Sequence, residues 1–293
     1  MTSPDRRIAQ SNFEGLTVAA FESRMGTEMA RLIARHGGRP LVAPALREVP
    51  LDNNAEALRF GEQLLAGQVD VIILLTGVGT RALVDVLQTR YPLEAVKAAL
   101  SRTCLVARGP KPVAVLKDLG LTPELTVPEP NTWRDILQAL DVHKPVASLR
   151  VAVQEYGVSN AEFLEALAAR GARVTRVPVY RWALPEDTGP LKQALNAILA
   201  GQVDVVLITN AAQVDHLMQL LEQDKKTDRF RQAVQRVVTA SIGPTASERL
   251  RRYGLPVDLE PSHPKMGVLV KEASERARPL LDDKRRSASG DQR

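Results

Sequence analysis

Leu65-Ala66-Gly67-Gln68-Val69-Asp70-Val71 returns unchanged as Leu199-Ala200-Gly201-Gln202-Val203-Asp204-Val205, 134 residues further along the chain. The same offset pairs Gly37 with Gly171, Arg39 with Arg173, Pro44 with Pro178, Gly109-Pro110 with Gly243-Pro244, Leu116 with Leu250, and Gly120-Leu121 with Gly254-Leu255. A period this long describes a domain-sized α/β unit and not a solenoid repeat. The expected fold is therefore two similar parallel-sheet lobes arising from an internal duplication, with a cleft between them. At 293 residues the chain suits two domains of ordinary size.

Each repeat alternates short apolar runs with amphipathic segments of helical period, the pattern of a parallel sheet covered on both faces. Strands are expected near 16–21, 39–43, 69–75, 103–107 and 124–127 in the first copy, and near 150–154, 173–177, 203–208, 237–240 and 257–259 in the second. Helices are expected near 25–36, 55–66, 80–89, 93–100, 110–119 and 132–140, with counterparts in the second copy. Several end at a glycine, as at Gly67 and Gly201, which fits a left-handed cap. Pro44 and Pro178 interrupt strand ladders and mark crossovers. Periodicity leaves two arrangements open: two unswapped lobes, or a first βαβ piece that packs with the end of the chain.

Hydrophobic content of 44% and charged content of 25% fit a soluble globular protein. No apolar run reaches the roughly 20 residues of a membrane helix, and Met1–Gln10 is polar, so a cytoplasmic protein without membrane contact is expected. The lone Cys104 excludes an intrachain disulfide and reads as a buried strand residue. Four scattered histidines argue against a zinc site. A net charge of +5 is compatible with a polyanionic ligand, whereas 4% aromatic residues disfavour a nucleic-acid stacking surface. The charged stretch from Asp282 to Arg293 has little to bury and reads as disordered.

Thr76-Gly77-Val78-Gly79-Thr80 and Thr209-Asn210-Ala211-Ala212-Gln213 each follow an apolar strand, where hydroxyls and free N–H groups at a helix start can receive an anion. Thr or Asn at such a place is also a common N-cap. Arg108-Gly109-Pro110-Lys111-Pro112 and Ser241-Ile242-Gly243-Pro244-Thr245 hold the equivalent turn one strand later, and Ser247 follows closely. No dinucleotide fingerprint, phosphate loop or nucleophile elbow is present. Glu22 and Asp52 read as surface or capping acids. Tyr180, just past the second crossover proline, is placed to overlook an inter-lobe cleft, where a phenol can donate a proton.

With Ala240-Ser241-Ile242-Gly243-Pro244-Thr245-Ala246, then Leu250 and Gly254-Leu255-Pro256-Val257, and with the Val179-Tyr180 linker, the chain resembles the uroporphyrinogen-III synthase family over roughly residues 13–277. The resemblance implies two flavodoxin-like lobes joined by a two-stranded linker near 43–47 and 177–181. One lobe would hold 13–44 and 181–277 and the other 45–180, with 1–12 and 278–293 as flexible tails. It implies a cofactor-free lyase that cyclises hydroxymethylbilane to uroporphyrinogen III with inversion of ring D, as a step of haem and other tetrapyrrole biosynthesis. Tyr180 would be catalytic, and Thr76, Gly77, Arg108, Gly109, Thr209, Asn210, Gly243, Thr245 and Ser247 would bind the carboxylate-rich substrate. A monomer is expected, with transient contact to the preceding enzyme and no nucleic acid or metal. Relatives often carry threonine where the Arg108–Pro112 turn has proline, and serine where Asn210 stands. The alternative from a different class is a non-catalytic, two-lobed small-molecule sensor.

Overall fold

Four-residue apolar runs become the centres of two parallel sheets. In the computed structural model, which describes residues 12–50, 54–155, 157 and 159–290, β1 (Thr17–Ala20) leads through α1 (Gly26–Arg35) to β2 (Arg39–Val42) and then β3 (Arg47–Pro50). Next come α2 (Ala55–Leu65), β4 (Val71–Leu74), α3 (Gly77–Gln88), α4 (Leu93–Leu100), β5 (Cys104–Ala107) and α5 (Pro110–Asp118). They are followed by β6 (Leu125–Thr126), α6 (Trp133–His143), β7 (Arg150–Glu155), α7 (Ala161–Ala169), β8 (Arg173–Pro178) and β9 (Tyr180–Ala183). The remainder is α8 (Gly189–Leu199), β10 (Val205–Ile208), α9 (Ala211–Gln223), α10 (Thr227–Val234), β11 (Val238–Ser241), α11 (Pro244–Arg252) and α12 (Met266–Gly290).

The chain divides into two compact units. Unit 1 holds the residues up to Arg47 and from Ala183 onward, and unit 2 is Glu48–Trp182. Unit 1 carries a sheet of order β11-β10-β1-β2 and unit 2 one of order β6-β5-β4-β7-β8, all parallel. β3 and β9, through which the chain passes between the units, form a two-stranded sheet. Each large sheet thus joins strands from both halves of the sequence. Alternate residues of a strand enter opposite cores: Val18 and Ala20 pack with Leu269 and Ala273 of α12, while Ala19 and Phe21 pack with Leu217 of α9. In unit 2, Ile72 and Leu74 join Phe60 of α2, and Val71 and Ile73 join Ile136 and Phe163 of α6 and α7. Burial on both faces explains why these strands read as unbroken apolar runs.

The repeated heptapeptide does the same structural work twice. Gly67 and Gly201 end α2 and α8 with φ of 67° and 70°, and the following Gln68 and Gln202 return N–H bonds of 2.8 and 2.9 Å to Gln63 and Ala197, a Schellman closure. Asp70 and Asp204 then clamp the neighbouring strand. Asp70 Oδ2 accepts the Arg150 N–H at 2.7 Å, and Asp204 Oδ2 accepts the Thr17 N–H at 2.8 Å. These carboxylates tie β4 to β7 and β10 to β1 at the amino-terminal edge of each sheet.

Three expectations are corrected. The segment from 278 is not a flexible tail up to Gly290, because α12 continues through it. Ala277 and Leu281 extend its fully buried stripe, and Lys284 and Arg285 donate to Asp258 and Asp204 at 2.6 and 2.7 Å. The strand expected over 124–127 shortens to β6. That expected at 257–259 is a single bridge from Leu259 to Ala240, with the Asp258 carboxylate instead accepting the Thr239 N–H at 2.7 Å. Residues 1–11, at the expected N-terminal tail, and Asp52 lie outside the described residues.

The Arg150 guanidinium, which donates to both Asp70 oxygens at 2.9 and 2.6 Å, holds the Asp70 carboxyl down at about 2 together with the Arg150 N–H. A folded value below that of the unfolded chain means stability that is present above pH ~4 and lost as the pH falls toward 2. Asp70→Asn should lower stability at pH 7 by about 1–2 kcal/mol, since the pair is partly open to solvent. In urea titrations the gap between the two proteins should close between pH 5 and pH 2. A gap that stays constant over that range would contradict the clamp.

Candidate active site

Every helix that follows a parallel strand starts at the carboxyl edge of its sheet, and its first N–H groups lack intrahelical acceptors. What each turn can offer a ligand is what its own capping leaves unused. In unit 2, Thr76 caps α3, its hydroxyl accepting the Gly79 N–H at 3.0 Å. Thr80 returns both its N–H and its hydroxyl to the Thr76 carbonyl. The Gly77 and Val78 N–H groups have no acceptor among the described residues. At α5, Gly109 is the N-cap, Pro110 and Pro112 have no N–H, and the Val113 N–H bonds the Gly109 carbonyl at 3.4 Å. That leaves the Lys111 N–H. Two close approaches shape this edge: a methyl on Gly79 would run into the Gln154 carboxamide, and one on Gly109 into Asn131. Gln154 is fully buried. Its Nε2 donates to the Glu155 carbonyl at 2.7 Å, and its Oε1 has no partner. The buried Glu155 carboxylate accepts from Ser159 Oγ at 2.6 Å and Arg176 Nε at 2.9 Å.

In unit 1 the α9 turn is more completely tied to itself. Asn210 caps α9, accepting the Ala212 N–H at 2.9 Å. The buried Gln213 carboxamide accepts the Thr209 and Asn210 N–H groups at 2.9 and 3.3 Å and donates to the Phe21 carbonyl and Thr209 Oγ1 at 3.0 and 2.8 Å. The Thr209 hydroxyl donates in turn to Glu22 Oε2 at 2.6 Å. Only the Ala211 N–H of this turn has no acceptor among the described residues. At α11, Gly243 is the N-cap and its carbonyl accepts from Ala246 and Ser247 at 3.1 and 3.0 Å. The Thr245 N–H remains, on an exposed residue. Strand order reverses between β1 and β10 in this unit and between β4 and β7 in the other, the places where ligands of open α/β sheets bind.

A family model described as uroporphyrinogen-III synthase HemD matches residues 27–271. The chain belongs to the uroporphyrinogen-III synthase family. It is 29% identical over 231 residues to a putative uroporphyrinogen-III synthase of Methanothermobacter thermautotrophicus, across 78% of this chain and 85% of the relative. It is 27% identical over 262 residues to an uncharacterised protein, YjjA, of Bacillus subtilis, across 88% and 94%. A mutant uroporphyrinogen III synthase of Thermus thermophilus superposes with a TM-score of 0.67 at 24% identity, covering 94% of this chain and 100% of that one. The wild-type Thermus enzyme gives 0.53 at 27% identity, over 92% and 99%.

Set beside the uroporphyrinogen-III synthase resemblance, the expected site residues divide by what holds them. Thr76 and Asn210 turn their side-chain oxygens back onto their own helices, and the Thr209 hydroxyl is given to Glu22. Gly77 lies against the Lys111 carbonyl and Gly109 against Asn131. Arg108 is half-buried at the end of β5, its N–H on the Leu74 carbonyl at 3.0 Å. Thr245 is exposed, whereas Ser247 is fully buried with an unpartnered Oγ. Tyr180 is 6% exposed, its ring edge-on to Trp182 at 5.4 Å within the core of unit 2, which is more enclosed than a phenol standing open over a cleft. Cys104 is buried in β5, and burial with Glu124 nearby pushes its thiol up to about 12, out of nucleophilic range. Sequence reasoning missed Gln154, Glu155 and Gln213 and took Glu22 for a surface or capping acid. Gln213 carried a signal, since it stands three residues after an Asn N-cap, the capping-box spacing.

The Gly79–Gln154 contact admits a direct test. Gly79→Ala should destabilise the protein by about 1–3 kcal/mol, because the added methyl must displace a fully buried carboxamide. Thermal unfolding measures it, and an unchanged midpoint would show that Gln154 is not held there.

Proposed function

We propose that this chain carries out the reaction of its family, closing hydroxymethylbilane to uroporphyrinogen III with inversion of ring D. The family match over residues 27–271 is the observation that carries the reading. The chemistry of the turns supports it: the substrate bears eight carboxylates, and the N–H groups of Gly77, Val78, Lys111, Ala211 and Thr245 stand at helix starts, where dipole and donor both favour anions. Loss of the terminal hydroxyl, leaving as water with a supplied proton, generates an azafulvene-like cation. The substituted carbon of ring D then attacks it to form a spiro intermediate. The bond from that carbon to the ring C methylene breaks, giving a second azafulvene-like cation, and the free α carbon of ring D closes onto it and loses a proton, which leaves ring D inverted. Catalysis of this kind rests on positioning and on charge stabilisation. Tyr180 is the proposed donor to the departing hydroxyl, with Thr76, Gly77, Arg108, Gly109, Thr209, Asn210, Gly243, Thr245 and Ser247 forming the turns that hold the carboxylates. A cofactor-free monomer acting in the cytoplasm, in passing contact with the enzyme that supplies its unstable substrate, belongs to the same proposal. Among the described residues no helix is long and apolar enough to cross a membrane. Family membership favours the enzyme over a non-catalytic sensor.

Incubation with hydroxymethylbilane, followed by oxidation and separation of the porphyrin isomers, should give product dominated by isomer III. Product no richer in isomer III than a protein-free control would refute the assignment. Tyr180→Phe keeps the edge-on packing against Trp182 and removes only the hydroxyl, and turnover should fall about 10²-fold. An unchanged rate would leave Tyr180 as a packing residue of β9.

A further inference from the structure

At the reversal of strand order in each unit, the second residue past β1 and its counterpart, the last residue of β7, are glutamates: Glu22 and Glu155. Their equivalence follows from pairing, since Val18 stands opposite Val205 as Val151 stands opposite Val71. The two are neutralised differently. Glu155 is buried and bound to the Arg176 guanidinium at 2.9 Å. Glu22 is half-buried, and no Lys, Arg or His nitrogen lies within 4.0 Å of it among the described residues. Its partners are neutral donors, Thr209 Oγ1 at 2.6 Å on Oε2 and the Met25 N–H at 3.4 Å on Oε1. Gln213 fixes the arrangement by donating to Thr209 Oγ1, which leaves the hydroxyl hydrogen to point at Glu22.

An unneutralised carboxylate among anion-receiving turns works against binding of a polyanion. It works in favour of any positive charge that develops there. We infer that Glu22 is a further catalytic residue, whose carboxylate stabilises the cationic azafulvene formed when the substrate loses its hydroxyl, with Thr209 and Gln213 as its positioning residues. The inference rests on the proposed cyclisation. No covalent bond to Glu22 is formed or broken: it supplies negative charge aimed at where positive charge appears, a contribution that vanishes when the side chain is neutral. Such a group lowers the barrier without improving ground-state binding, because the substrate itself is anionic.

Glu22→Gln separates this from capping, since the carboxamide oxygen still accepts from Thr209, giving up only the longer 3.4 Å bond from the Met25 N–H, while the charge is gone. With hydroxymethylbilane as substrate, kcat for isomer III formation should fall about 10²-fold or more, with KM unchanged or lower and the thermal midpoint close to that of the parent protein. Glu22→Asp, which keeps the charge, should recover part of the loss. An unchanged kcat in Glu22→Gln would overturn the inference, as would equal losses in the two variants or a loss confined to KM. If Glu22→Gln does not fold, the comparison passes to Glu22→Asp against Glu22→Asn, two side chains of equal length: the charge-retaining variant must keep the higher kcat, and equal or reversed values overturn the inference. Isomer III formation by the parent protein, measured in the same series, shows whether the proposed reaction itself stands.

Discussion

In a parallel sheet all helices that follow strands begin at one edge, and the backbone there holds N–H groups that no helical bond can satisfy. The chemistry of this chain depends on how its own side chains divide those groups. Thr76 takes one at α3 and leaves two. Proline removes two donors at α5 and one at α11. Gln213 and Asn210 take almost all of them at α9. The carboxyl edges of the two units are both built from turns between a parallel strand and a helix, yet these turns offer different numbers of donors. A carboxylate-rich ligand meets more backbone donors in the α3 turn than in the α9 turn.

The opposite edge has the complementary role. Asp70 and Asp204 hold neighbouring strands together where the chain reverses direction through the sheet, and each attracts an arginine. Arg150 comes from the clamped strand itself, whereas Arg285 comes from the last helix, 81 residues beyond the aspartate it meets. Unsatisfied groups occur at the carboxyl edge. Buried orphan oxygens at Gln154 and Ser247 lie on that side.

Much of the architecture was legible because it rests on local pattern. Apolar four-residue runs, helix-ending glycines such as Gly67 and proline at helix starts placed most strands and helices within a few residues, and the 134-residue offset marked the elements that recur. What was not legible depends on contacts between distant residues. Lys284-Arg285-Arg286 looks like a solvated tail until Asp258 and Asp204 are seen to receive two of its cations. Glu22 looks like a surface acid until Thr209, 187 residues away, is found donating to it. Thr76 and Asn210 could be read from sequence as caps or as ligand donors, and the structure shows both capping. Tyr180 was placed by its position after the crossover proline and by the family resemblance, neither of which tells of the Trp182 ring against it.

The central claim is that the backbone donors left over at the helix starts are the ones that receive the substrate's carboxylates. Amide chemical shifts of deuterated, 15N-labelled protein titrated with uroporphyrinogen III under anaerobic conditions test it most directly. The account predicts the largest perturbations at the amides of Gly77, Val78, Lys111, Ala211 and Thr245, with Thr209 and Asn210, whose N–H groups are already bonded to Gln213, much less affected. Perturbations centred on Thr209 and Asn210, or spread evenly over both edges of the sheets, would contradict it.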